Sequence, residues 1–203
     1  MFAARWRANR GIEIKITTHP LTAKRWDDFV TLFGEHGACG GCWCMLWRLR
    51  RKDFEARKGA GNKRAIKSIV SAGETPGILA YEGREPIGWC ALAPRDQYPA
   101  LDRSRVLQPV DEQPCWSVAC LFVHRARRKQ GLQIELLRAA VRYARSHGAG
   151  ILEGYPVEPK SNKDIPAAFA WTGIPSAFEQ AGFVEIARRS PTRPIMRIEL
   201  AEE

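Results

Sequence analysis

Apolar and polar positions along the chain fall into two periods, and together they predict most of its elements. Trp116 to Val123 is an almost unbroken apolar run, as expected of a strand covered on both faces. Apolar residues at 132, 136, 137, 140, 141 and 144 then recur at helical spacing over Leu132 to His147. Ile151 to Val157 reads as the next strand, so 116–157 forms a strand–helix–strand unit that favours parallel pairing. Ile78 to Tyr81 and Ile87 to Ala93 flank the turn Glu82-Gly-Arg-Glu-Pro86, a hairpin signal. Phe183 to Ala187 and the alternating segment Ile195 to Leu200 predict a closing antiparallel hairpin. Shorter signals are a strand over Ile12 to Ile16 and a helix over Thr22 to Phe33 opened by a Thr cap. Asn62 to Ser71 reads as a basic helix and Ser176 to Ala181 as a short one stopped by Gly182. The Pro-bearing stretch Pro94 to Pro114 reads as a surface excursion. With no repeat and no linker, the pattern predicts one mixed α/β domain over 12–203 behind an N-terminal extension, 1–11.

Composition agrees with a single core: 203 residues, 45% hydrophobic and 27% charged. Such apolar content excludes a disordered chain, and no run reaches the ~18 apolar residues of a membrane helix. Arg5, Arg7 and Arg10 precede no apolar segment of the secretory type, so the expectation is a cytoplasmic protein without membrane contact. Charge changes the picture more. The net of +10 is concentrated in two segments, Arg48 to Lys67 at +7 and Arg125 to Arg145 at +6. The first holds nine basic residues but only Phe54 as an aromatic, and no nucleic-acid motif, so a solvated face is favoured over nucleic-acid binding.

The second basic segment carries a specific signal. In Val123-His-Arg-Ala-Arg-Arg-Lys-Gln-Gly-Leu-Gln133 a buried strand runs into a basic loop, and Gly131 stands at the opening of an amphipathic helix. A helix N-terminus offers unpaired N–H groups and a positive dipole end to a phosphate, provided the backbone can approach. Gly131 permits that approach and Arg127, Arg128 and Lys129 add charge; a basic helix start on a solvated surface is the plainer alternative.

Arg128-Lys-Gln-Gly131-Leu-Gln133, five residues after Val123, resembles the acetyl-CoA signature Arg/Gln-x-x-Gly-x-Gly/Ala of the GNAT superfamily of N-acetyltransferases. Phe178-Glu-Gln-Ala-Gly-Phe183 resembles that superfamily's closing Tyr-x-x-x-Gly-Phe, and the hairpin 78–93 matches its second and third strands. The resemblance implies a mixed, mostly antiparallel sheet with a central parallel strand pair, flanked by helices. It implies acetyl-CoA as co-substrate, its pyrophosphate held by the backbone of Arg128, Lys129, Gln130, Gly131, Leu132 and Gln133. Phe122 and Val123 would pair their backbone with the pantetheine arm, which slots between strands 116–123 and 151–157. Two departures stand out. Gln133 replaces a small residue, and Phe178 replaces the tyrosine that protonates the leaving thiolate in many members, which Phe cannot do.

Acetyl transfer to an amine needs a neutral nucleophile, a stabilised oxyanion and a proton for the thiolate. Glu153 and Tyr155, two apart on one strand face, are the candidates for base and acid, with a solvent-facing Glu153 and a core Tyr155 as the plain alternative. His36, Cys39, Cys42 and Cys44 offer four soft ligands within nine residues, yet the Cys-x-Cys turn is tight for chelation and no metal is expected. By the resemblance this segment overlies the acceptor site, where Trp43, Met45 and Trp47 would wall a pocket for an apolar or cationic amine, unless they pack in the core. Cys90 and Cys120, within apolar runs, read as buried small hydrophobes. The expected function is transfer of an acetyl group from acetyl-CoA to a primary amine of a small-molecule or peptide acceptor, by a monomer or homodimer. A catalytically silent CoA sensor and a nucleic-acid or tRNA-modifying protein are the alternatives.

Overall fold

A computed structural model describes residues 3–7, 13–158 and 170–200, with the side chains of 3–7 and 13–15 outside the description. In chain order the elements are β1 (Ala3–Arg7), β2 (Glu13–Pro20), α1 (Trp26–Phe33), α2 (Arg51–Ala56), α3 (Ala60–Ser71), β3 (Gly77–Glu82) and β4 (Glu85–Pro94). Then follow α4 (Pro99–Asp102), β5 (Trp116–Val123), α5 (Leu132–Ser146), β6 (Ile151–Gly154), α6 (Pro175–Gln180), β7 (Val184–Arg188) and β8 (Pro194–Glu199).

All eight strands join one sheet in the order β1-β2-β3-β4-β5-β6-β8-β7. Every neighbouring pair is antiparallel except β5 and β6, which are parallel at the centre. The long connection through α5 is what allows that parallel pair. The apolar run of β5 is explained by cover on both faces. One face lies under α5, whose Leu132, Leu136, Leu137, Ala140 and Ala144 are buried with Val118 and Leu121. Burial of each of those leucines contributes about 1.5–3 kcal/mol. The other face meets α1 through Phe29, Leu32 and Phe33, together with Trp43, Trp89, Tyr98 and Tyr155.

Four expectations differ from the structure. The segment expected as an extension supplies β1, which pairs with β2 from Ala3–Thr17 to Arg7–Glu13; residues 1–2 and 8–12 lie outside the described part. The expected strand 151–157 stops at Gly154, because β8 and β5 pair with it only that far. Pro94 to Pro114 is more than a surface excursion: it forms α4 and buries Arg95, Tyr98, Leu101 and Leu107 against the α1 face. The prolines concealed this, since buried positions there follow turns rather than a regular period. Thr22, expected as a helix cap, precedes a 3-10 turn at Ala23–Arg25 and makes no side-chain cap bond.

Phe178 is fully buried, edge-on to Phe183 with centroids 5.1 Å apart, and its ring occupies the space that a side chain on Gly154 would need. Gly154→Ala is therefore expected to lower stability by about 1–3 kcal/mol through overpacking, read as a shift in the urea midpoint. A double substitution with Phe178→Leu should recover part of the loss; an unshifted midpoint for Gly154→Ala would show that the ring has room to move.

Candidate active site

The loop between β5 and α5 is built as a cradle of backbone donors. His124 N–H donates to the Ile87 carbonyl at 2.9 Å and Arg127 N–H to the His124 carbonyl at 2.8 Å, which fixes the exit from β5. Arg127 is also ion-paired with Glu82 on β3. Lys129 and Gly131 both have left-handed backbones, with φ of 57° and 79°, and Gly131 is the N-cap of α5. The N–H groups of Arg128, Gln130, Gly131, Leu132 and Gln133 meet no backbone carbonyl among the described residues. The first N–H bonded back to the cap is that of Ile134, 2.9 Å from the Gly131 carbonyl. A run of unpaired amides at the positive end of a 15-residue helix fits a pyrophosphate in both charge and geometry. The Arg128 side chain is exposed and reaches back to the Val123 carbonyl at 3.2 Å, while Gln133 is half-buried.

Next to this loop the central strands separate. β5 and β6 pair at Trp116–Leu152, Ser117–Glu153 and Val118–Gly154 only. Beyond that point Leu121 N–H donates to the carbonyl of Trp171 at 2.6 Å. A cavity of about 280 Å³ opens here on the α1 face. Its walls are mainly Phe33, Cys44, Trp47, Cys120, Phe122 and Trp171. Trp47 and Trp171 lie 5.9 Å apart between centroids, and the buried Trp47 Nε1–H has no hydrogen-bond partner among the described residues.

Of the three residues expected to wall an acceptor pocket, Trp47 does line this cavity. Trp43 and Met45 are 2% and 3% exposed and belong to the core of the α1 face. Trp43 stacks on Phe33 with centroids at 5.7 Å and carries Lys63 over its outer face at 4.8 Å. Phe122 lines the cavity, and Cys120, expected in the core, does so as well.

Glu153 and Tyr155 share a sheet face, but within a closed buried network. Tyr155 O–H donates to Glu153 Oε2 at 3.1 Å, accepts from Arg95 Nη1 at 2.5 Å and lies 2.8 Å from Ser117 Oγ. Glu153 Oε1 accepts from Arg197 Nη2 at 2.8 Å and Nε at 3.1 Å, and Arg95 Nη1 stands 3.6 Å from Oε2. Outward, Arg197 reaches Asp111 at 2.6 Å and Arg95 reaches Asp102 at 3.2 Å and the Leu107 carbonyl at 2.7 Å. Burial, with the Glu153 carboxylate alongside, pushes the Tyr155 phenol well above its ordinary range, so its proton is held. Both carboxylate oxygens are occupied by donors, and neither residue lines the cavity. The arrangement joins the end of β4 to β5, β6 and β8 and, among the described residues, leaves Glu153 only 1% exposed. Arg95 and Arg197, which complete it, carry no sequence signal: one opens the turn after β4 and the other takes an ordinary polar position of an alternating strand.

Among the described residues no three His, Cys, Asp or Glu side chains come together as a metal site, and no helix is long and apolar enough to cross a membrane.

Residues 43–164 match the sequence model of the acetyltransferase (GNAT) family. No curated protein sequence matches the chain at a significant level. Solved structures resemble it in fold. One is a GNAT-family acetyltransferase from Listeria monocytogenes, with 9% identity, a TM-score of 0.57, and 92% of this chain and 96% of that one covered. Another is a candidate arylalkylamine N-acetyltransferase from the mosquito Aedes aegypti, with 13% identity, a TM-score of 0.53 and 99% and 97% covered. The NatC complex bound to a Gag peptide and CoA gives 12% identity, a TM-score of 0.51 and 92% and 99% covered.

Proposed function

Because the chain belongs to the GNAT acetyltransferase family, we propose that it transfers an acetyl group from acetyl-CoA to the primary amine of an apolar, preferably aromatic, acceptor. The observation that carries the acceptor class is the cavity beside the β5–β6 separation, with Trp47, Trp171, Phe33 and Phe122 on its walls. An amine on a flat apolar body fills such a space. Of two proteins with the same fold, the mosquito one is named for an arylalkylamine acceptor, which falls within this class, and the NatC complex was solved with a bound peptide and CoA.

The backbone of Arg128 to Gln133 would hold the pyrophosphate, and Phe122 would flank the pantetheine arm. When bound, acetyl-CoA supplies an activated thioester. The acceptor amine attacks the thioester carbonyl directly, and this chain's part is to orient the two and exclude water. Glu153 and Tyr155 are in this reading structural, tying strands together beside the point where β5 and β6 diverge, and take no part in the transfer. Deprotonation of the amine and protonation of the thiolate pass to solvent at the cavity mouth. Phe178 is sealed in the core, so the position that carries a tyrosine in many members supplies no proton here.

The test is an amine panel with acetyl-CoA, monitored by release of free CoA thiol. Arylalkylamines should give the highest kcat/KM, and Trp47→Ala should raise KM for them at least about ten-fold, the value of ~1.4 kcal/mol of lost contact, with KM for acetyl-CoA little changed. Binding of CoA without thiol release on any amine would replace the enzyme by a silent CoA sensor, the reading that Phe178 favours. Steeply salt-dependent RNA affinity in place of amine turnover would instead assign the exposed basic face of Arg50, Arg51, Lys52 and Arg57 to nucleic acid.

A further inference from the structure

We propose that the acceptor carries a carboxylate at the end of its aromatic body away from the amine, and that Lys58 at the cavity mouth binds it. The inference rests on reading the cavity beside the β5–β6 separation as the acceptor site. Exposure sorts its walls by depth. Phe33, Cys44, Phe54 and Leu121 are buried, whereas Cys39, Gly40 and Lys58 are exposed and mark the mouth. Among the described residues that line it, Lys58 is the one charged side chain, and none is a carboxylate.

Lys58 is held at this rim by the turn between α2 and α3, which docks on the loop that follows α1. Gly59 N–H donates to the Gly41 carbonyl at 3.0 Å, and the buried Asn62 Nδ2 donates to the same oxygen at 3.2 Å. The approach is so close that a Cβ on Gly41 would stand 2.5 Å from the Gly59 nitrogen. Gly41 also holds φ at 72°, so the loop takes up the turn only with glycine there. The Lys58 ammonium lies over Phe54, 5.8 Å from the ring centroid. Glu55 is 2.6 Å from Nζ, and both side chains of that pair are about half exposed. An ammonium has three donors and this pair takes one. Exposed pairs of that kind hold weakly, so the lysine can turn to a ligand at little cost.

Charge around the mouth points the same way. Arg50, Arg51, Lys52, Arg57, Arg64 and Lys67 are exposed along α2, α3 and their flanks, against only Asp53 and Glu55. The resulting positive field repels a plain arylalkylamine, a cation at neutral pH, and draws in anions. A carboxylate on the acceptor cancels its ammonium charge, and the molecule arrives neutral. One lysine matches a monoanion, and it would leave a phosphate dianion with a charge uncompensated on this wall. The aromatic body then spans Trp47 and Trp171, and the amine points inward to the place where β5 and β6 separate.

The experiment compares para-(aminomethyl)benzoate with para-(aminomethyl)benzamide, which share size and shape and differ in charge. Release of free CoA thiol gives kcat/KM for each, and quenching of tryptophan fluorescence gives their relative affinity without acetyl-CoA. The benzoate should be preferred about five-fold, the scale of a half-exposed ion pair, and the ratio should shrink in high salt. Lys58→Gln should bring the ratio to about one, and Lys58→Glu, beside Glu55, should turn it below one. Lys67→Gln should keep the parent ratio, since Lys67 lies in the same basic segment but over Trp26, at 5.6 Å, and off the cavity wall. Both amines are read on one protein sample, so partial unfolding of a variant cancels from the ratio. A ratio of one in the parent, a preference that survives Lys58→Gln, or an equal fall in Lys67→Gln would overturn the proposal. Absence of thiol release with both amines would remove the acetyl-transfer reading, and the fluorescence ratio would still decide whether Lys58 selects a carboxylate.

Discussion

Glu153→Gln is expected to cost about 3–5 kcal/mol of folding stability, the usual penalty for leaving buried cations without their anion. Glu153 is 1% exposed and stands between two arginines whose side chains are only about a tenth exposed. Gln keeps the shape but presents one oxygen and one NH2 group. With its oxygen toward Arg197, the NH2 group faces Tyr155 O–H and Arg95, where a carboxylate oxygen had accepted. With the amide reversed, NH2 meets the two Arg197 donors instead. Neither orientation restores the charge. Unfolding in urea should therefore begin at distinctly lower denaturant, and the loss should be shared by the strands that the network joins, β4, β5, β6 and β8. At a temperature where the variant is still folded, kcat/KM for acetyl transfer should remain near that of the parent, with an unaltered pH profile. A midpoint equal to the parent's would dissolve the network as a stabilising unit. A stable variant with kcat collapsed would restore Glu153 as the catalytic base.

That contrast shows where the sequence was legible. The i, i+2 spacing of Glu153 and Tyr155 predicted a shared face, and they do share it. What spacing cannot show is what arrives from elsewhere. Arg95 reaches Tyr155 from the end of β4, and Arg197 reaches Glu153 from the neighbouring antiparallel strand, in register with it. Both contacts bridge long stretches of chain, so the pair that reads as acid and base is also held in a network between strands. The sheet was more readable, because β5, α5 and β8 have uninterrupted periods and are long enough to impose them. The Cys–Trp loop followed no period. Its backbone is turned by left-handed residues at 37, 38, 40, 41, 43 and 44, so Trp43 and Met45 went to the core while Trp47 and Cys44 reached the cavity. A bulge in β5, where Ala91 pairs with Cys120 and Leu92 with Val118 so that Ala119 is the extra residue, is the other device that sequence pattern conceals, since Ala and Cys are equally at home on either face of a buried strand.

Gly131→Val is expected to weaken CoA binding about a hundredfold, equivalent to ~2.8 kcal/mol. Gly131 holds φ at 79°, a conformation that costs a β-branched residue most, so Val drives the loop out of its left-handed turn. The unpaired N–H groups of Arg128, Gln130, Gly131, Leu132 and Gln133 then cease to converge, and each lost bond to a phosphate oxygen is worth about 1.5–3 kcal/mol. The fold should survive, because α5 is anchored by Leu132, Leu136 and Leu137 against the sheet and not by the loop. Calorimetry of CoA binding, beside a urea titration, separates the two effects. Dephospho-CoA, which keeps the pyrophosphate, should lose affinity in the variant by the same factor as CoA. Pantetheine, which has no phosphate, should bind parent and variant alike. Arg128→Ala should weaken CoA less than Gly131→Val and lessen the dependence on salt, since an exposed guanidinium contributes screened charge whereas the amides contribute directed bonds. An equal loss of pantetheine binding would mean that Gly131 shapes the cavity and not a phosphate cradle. Unchanged CoA affinity in the Val variant would remove the loop from the coenzyme site altogether.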